Sequence, residues 1–77
     1  MKVKVYAALK EHFKPEFEVT EAVRNTDELK TFLQAINTKS AEILNSCRFA
    51  VKDTFIDNEF KLQENDTVVI IPPSSGG

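Results

Sequence analysis

Thr67-Val68-Val69-Ile70-Ile71-Pro72-Pro73-Ser74-Ser75-Gly76-Gly77 closes the sequence. Residues 67–71 are β-branched throughout, which predicts a strand buried in the interior of a sheet. Pro72 and Pro73 end it, because neither can donate to a ladder. An interior strand needs a neighbour on each side, so the rest of the chain must supply them.

The first neighbour is at the other end of the sequence. Lys2-Val3-Lys4-Val5-Tyr6-Ala7 alternates polar and apolar, the period of a half-buried strand, with Val3, Val5 and Ala7 expected on one face. A loop is expected around His12 to Pro15, and Glu16-Phe17-Glu18-Val19 alternates again, as a hairpin partner would. The period then changes. Leu29, Phe32, Leu33 and Ile36 recur at helical spacing, with Thr26 as the expected N-cap and Asp27 and Glu28 in the first turn, where the helix dipole favours negative charge. Asn37 is an expected stop, since Asn tolerates the left-handed conformation. Ser40 to Asn45 predicts a short helical turn anchored by Ile43 and Leu44. Cys47 to Val51 predicts a third strand, Lys52-Asp53 a tight turn, and Thr54-Phe55-Ile56 a short return strand. Phe60 and Leu62 are expected as inward anchors of the polar stretch 57–66, which ends in the turn signal Glu64-Asn65-Asp66.

One amphipathic helix must cover one sheet face to bury its stripe. The fold class that follows is α+β: a mixed sheet of four to five strands wrapped over one helix, with first and last strands adjacent. This is the β-grasp, or ubiquitin-like, architecture. The expected domain is 1–73, with 74–77 as a C-terminal tail.

Seventy-seven residues make one small domain. A core of that size leaves little room for a deep substrate cleft, which favours a module that works with a larger partner. A net charge of −2 gives no basic footprint for nucleic acid. No apolar run approaches a membrane span, and no signal peptide is read from Met1 onward, so no membrane partner is expected. The lone Cys47 excludes an intrachain disulfide framework and fits a reducing compartment, so the expected location is cytoplasmic.

The tail is the chemical candidate. Glycine has no side chain, so what Gly76 and Gly77 offer is an α-carboxylate on the least obstructed backbone available. Pro72 and Pro73 stiffen the base, while Ser74, Ser75, Gly76 and Gly77 keep the tip slim. Extended, residues 72–77 reach roughly 20 Å, enough to enter a narrow tunnel on another protein. A frayed terminus is the plain alternative.

Ile71-Pro72-Pro73-Ser74-Ser75-Gly76-Gly77 resembles the C-terminal signature of the MoaD-type sulfur carriers, the small subunit of molybdopterin synthase, within the MoaD/ThiS superfamily. Val5-Tyr6-Ala7 with Leu9-Lys10-Glu11, Ala50-Val51, Leu62 and Glu64-Asn65-Asp66 resemble other stations of that family. Ser74 stands where many members carry an apolar residue, Asn65 replaces a turn glycine and Lys52 a frequent Asn.

The resemblance implies a mechanism. An activating enzyme similar to the ubiquitin-activating ones would adenylate the Gly77 carboxylate with ATP. A persulfide from a sulfur-donor enzyme would convert it to a thiocarboxylate. The large synthase subunit would then accept the tail, and sulfur would pass to a cyclic pyranopterin on the way to the molybdenum cofactor. The resemblance thus implies a non-catalytic subunit of a sulfurtransferase, with no bound cofactor and ATP used only by the activating enzyme. Carriers for thiamine, cysteine or tRNA thiolation also end in Gly-Gly. A ubiquitin-like modifier forming isopeptides and a plain β-grasp binding module remain open as well.

Other residues carry less. By alternation Val68 and Ile70 share the helix-facing side with Val3 and Val5, leaving Tyr6, Val69 and Ile71 on the uncovered face as a partner-binding patch. Exposed apolar surface without a role is the alternative, and a one-residue slip reverses the faces. Cys47 beside Arg48 suggests a reactive thiol, but lone cysteines are more often buried and structural. His12 has no second ligand at metal spacing, and the acidic residues 57–66 lack the glycine and spacing of a calcium loop, so no metal is expected.

Overall fold

The computed structural model describes residues 1–73. The predicted tail residues Ser74, Ser75, Gly76 and Gly77 lie outside the described residues. Strand β1 (Lys2–Val5) runs into a 3₁₀ turn (Ala7–Glu11), and β2 (Glu16–Glu18) returns beside it. Helix α1 (Thr26–Ile36), a second 3₁₀ turn (Thr38–Ser40) and the short α2 (Ala41–Ser46) follow. Strands β3 (Arg48–Val51), β4 (Thr54–Ile56) and β5 (Thr67–Ile71) complete a mixed sheet of order β2-β1-β5-β3-β4.

The last strand is therefore the central one. It pairs with β1 in parallel, Val3 opposite Val68 and Val5 opposite Ile70, and with β3 antiparallel, Phe49 opposite Ile70 and Val51 opposite Val68. The inward residues of these three strands join Leu29 and Leu33 of α1 in one core cluster, with Leu9, Val19, Leu44 and Leu62. Val3, Val68 and Ile70 are inaccessible to solvent, as are Leu29 and Leu33. Each such aliphatic side chain contributes about 1.5–3 kcal/mol on burial. The expected α+β mixed sheet over one helix is the observed fold.

Several local expectations are corrected. Ala7 does not continue β1: it adopts φ 53° and is exposed, and the buried Leu9 of the following 3₁₀ turn joins the core instead. The N-cap of α1 is Asn25, not Thr26. Asn25 is extended and its Oδ1 accepts the Glu28 backbone N–H at 2.9 Å. Thr26 is the buried first helical residue, and Asn58 Oδ1 accepts the Asp27 backbone N–H at 2.9 Å, satisfying a second first-turn donor. The Glu28 carboxylate accepts the Arg24 backbone N–H and meets its guanidinium at 3.2 Å, which together hold the carboxyl below its usual range.

Asn37 ends α1, but in an extended conformation. Its side chain accepts from the Lys39 N–H and donates to the His12 carbonyl, tying the helix end to the loop after β1. Ile36 is 58% exposed, because the stripe turns out of the core at the helix end. Phe60 is 38% exposed rather than an anchor; its N–H closes a turn on the Asp57 carbonyl. Leu62 is buried as expected, its N–H bonded to the Arg24 carbonyl at 2.8 Å. The third strand starts at Arg48, since the Cys47 N–H bonds back to Leu44 and caps α2.

Urea denaturation checks these assignments. Leu33→Ala should cost about 2–5 kcal/mol and Asn25→Ala about 1 kcal/mol, while Ile36→Ala should stay within about 0.5 kcal/mol. Equal costs for Leu33→Ala and Ile36→Ala would contradict the helix orientation.

Candidate functional site

The sheet has a second face that no helix among the described residues covers. Its composition follows from the register. On β1 and β2 the outward residues are Lys2, Lys4, Glu16 and Glu18, and Lys2 and Lys4 reach Glu16 at 3.3 and 3.9 Å. These pairs are half exposed and contribute little stability, but they make that half of the face charged and self-neutralised. On β5, β3 and β4 the outward residues are Val69, Ile71, Ala50 and Phe55, and that half is apolar.

Val69 lies opposite Ala50, and Ala50 lies opposite Phe55 across the β3–β4 hairpin. Together with Ile71 and Asp53 they line a hollow of about 220 Å³. Phe55 is 53% and Ile71 36% exposed, so two of the five exposed large apolar side chains among the described residues stand together at this hollow. The hairpin holds its shape through Lys52 and Asp53, both left-handed at φ 53° and 63°, the geometry that matches a two-residue turn to strand twist.

Ile71 is also the last residue of β5, so the hollow adjoins the exit of the C-terminal segment at Pro72. Tyr6, 48% exposed, sits one residue beyond the Val5–Ile70 pair in extended conformation. It stands on the same side of the ladder's end but does not line the hollow. Of the expected patch, then, Val69 and Ile71 come together, Tyr6 lies at their margin, and Phe55 and Ala50 are added. Phe55 carries a readable signal: a two-residue turn at 52–53 puts it opposite Ala50. Pro72 is half-buried and Pro73 exposed.

Other candidates are less promising. Cys47 is half-buried, its Sγ donates to the Ile43 carbonyl at 3.1 Å, and burial pushes the thiol up, against the effect of the Lys30 charge. A thiol kept neutral is a poor nucleophile. Among the described residues no three of His, Cys, Asp and Glu gather as a metal site requires. A concavity of about 790 Å³ lies at the opposite end of the sheet between residues 18–24 and 62–65, remote from Pro72. No helix among the described residues is long and apolar enough to cross a membrane.

A mixed five-stranded sheet with a central C-terminal strand, one covered face and one apolar exit face defines a ubiquitin-like β-grasp protein. Comparison with known proteins makes this specific: the ThiS family model matches residues 3–77, and the chain belongs to that family. Among solved structures it is similar to a protein–protein complex of subunits 1 and 2 of molybdopterin-converting factor from Helicobacter pylori 26695. The identity is 26%, 99% of this chain and 96% of that chain are covered, and the TM-score is 0.72. A putative molybdopterin converting factor subunit 1 from Pyrococcus furiosus is 23% identical, with 95% of each chain covered and a TM-score of 0.72. SAMP1 from Haloferax volcanii is 16% identical, with 99% of this chain and 97% of that chain covered, at a TM-score of 0.69. The last two likenesses support the fold. No curated protein sequence matches.

The two faces differ in what they tolerate. Val69→Lys should fold with a melting temperature near the parent's, whereas Ile70→Lys, one residue along, should not fold, because it buries an unpaired charge. Circular dichroism melts of the two variants check this; the reverse result would invert the face assignment.

Proposed function

We propose that this chain is a sulfur carrier and the non-catalytic small subunit of a molybdopterin synthase. The observation that carries the proposal is the likeness, over nearly the whole chain, to a structure described as subunits 1 and 2 of molybdopterin-converting factor in complex. Membership of the ThiS family and the terminal Pro-Pro-Ser-Ser-Gly-Gly sequence support it. The large subunit of the synthase would dock on the Val69, Ile71 and Phe55 face, with Tyr6 at its margin, and receive the tail.

The chemistry proposed uses the main-chain terminus in place of a side chain. A carboxylate is a poor electrophile because it is anionic and resonance-stabilised. A Gly77 carboxylate oxygen attacks the α-phosphate of ATP on an adenylyltransferase, pyrophosphate leaves, and an acyl-adenylate forms. The terminal sulfur of a persulfide attacks the acyl carbon and AMP leaves. A thiol then cleaves the resulting acyl disulfide, leaving a thiocarboxylate at Gly77 and a disulfide on the donor side. On the large subunit the thiocarboxylate sulfur attacks a carbon of the cyclic pyranopterin monophosphate, the bond from that carbon to its phosphate ester oxygen breaks and the ring of the cyclic phosphate opens. Water then hydrolyses the thioester so formed, leaving the sulfur on the pterin and returning the Gly77 carboxylate. The acid–base groups belong to the partners. The lone half-buried thiol of Cys47 suits a reducing compartment, and we place the protein in the cytoplasm.

Incubation with the activating enzyme, ATP and a persulfide donor, followed by intact mass measurement, tests the proposal. Exchange of one oxygen for sulfur at Gly77 is expected. A ladder of covalent conjugates would instead support a protein modifier, and no mass change would overturn the carrier assignment. Deleting Gly77 should abolish sulfur transfer with the melting temperature barely moved. Tyr6→Lys should weaken binding of the large subunit by about tenfold without unfolding the domain; unchanged affinity would remove Tyr6 from the docking surface.

A further inference from the structure

Arg48 opens β3 on the uncovered face, in register with Ile71, the last residue before the prolines. Its Cζ lies 3.9 Å from the centroid of the Phe55 ring. Phe55 also lines the apolar hollow, so the guanidinium is held at the hollow's edge by one of its own walls. Among the described residues, the ion pairs engage the Met1 ammonium, Lys2, Lys4, Arg24 and Lys30, and none engages Arg48.

We propose that Arg48 is a specificity-determining residue of the docking face. It takes an Asp or Glu carboxylate of the protein partner beside an apolar side chain that fills the hollow. This rests on the reading that the face docks the large subunit of a synthase, and it adds what that subunit must present.

The stereochemistry supports this assignment. With Cζ 3.9 Å from the ring centroid, Phe55 covers one side of the guanidinium, and the N–H groups turned away from the ring can meet a carboxylate in a bidentate contact. The stack also restricts the side chain before the partner arrives, so less ordering is left to be done on binding. An apolar side chain in the hollow would exclude water next to the charge, which strengthens the ion pair. Charge complementarity favours a single carboxylate: the other outward cations on the strands of this face, Lys2 and Lys4, are both engaged by Glu16. A doubly charged phosphate would find no second uncommitted cation among them. The recognition element is thus one apolar knob flanked by one acid, read a single residue away from Pro72.

Calorimetric titration of wild type, Arg48→Gln, Arg48→Lys, Arg48→Glu and Phe55→Leu with the large synthase subunit of the same organism tests this, at low and high salt. Thermal melts on each variant check folding. Arg48→Gln is expected to weaken binding by about tenfold, and Arg48→Glu by more. Arg48→Lys should not restore wild-type affinity, because it keeps the charge but loses the fork. Phe55→Leu, which keeps Arg48 and an apolar wall, should fall between wild type and Arg48→Gln. Salt should weaken wild-type binding more than binding of Arg48→Gln. If wild type binds and Arg48→Gln matches it within about twofold at both salts, the inference about Arg48 is overturned and the docking assignment stands. If wild type itself fails to bind the large subunit, the synthase assignment falls and the inference with it.

Discussion

The parallel pairing of β1 with β5 is the constraint on which the rest depends. Parallel neighbours cannot be joined by a tight turn, so everything between Val5 and Thr67 must cross over and return. That crossover contains the helix that covers one face and the hairpin that widens the sheet beyond β5. The last strand of the chain thereby becomes the most enclosed one. A C-terminal segment springing from the middle of a sheet starts from an anchor that is hard to unravel, since β5 is held on both edges.

The same arrangement suits the proposed role of presenting a C-terminal segment to a partner. A strand alternates its side chains, so β5 serves two purposes at once. Val68 and Ile70 fasten it to the core, while Val69 and Ile71 face outward next to Phe55 and Ala50. In the proposed complex these outward residues would give the partner something to grip immediately before Pro72. The charged half of the face, with Lys2 and Lys4 on Glu16, would confine that grip to the β5–β3–β4 side.

Much of this was legible in the sequence, for a physical reason. The β-branched run 67–71, the alternation at 2–5 and the helical spacing of Leu29 and Leu33 are periodic signals that set which face is buried. What failed was local. Ala7 has the right parity for the core, but a left-handed residue breaks the strand before parity applies. Thr26 and Asn25 are both good caps, and only the tertiary contact of Asn58 with the first turn shows which one lies inside the helix. Phe60 and Ile36 are large and apolar yet face solvent, because they lie at a turn and a helix end where periodicity loses hold. At the candidate site, Val69 and Ile71 were readable from alternation. The contribution of Phe55 and the stacking of Arg48 on it required the hairpin register and a side-chain conformation, neither of which spacing alone supplies.

The central claim is that the working atom of this protein is a backbone carboxylate, presented by a strand whose own side chains only hold and steer it. The most direct measurement is ATP–pyrophosphate exchange by the activating enzyme, with the chain prepared as the free acid and as the C-terminal amide at Gly77. The account predicts exchange with the acid and none with the amide, although both fold alike. Equal exchange with the amide would show that activation takes place elsewhere on the molecule and would contradict it.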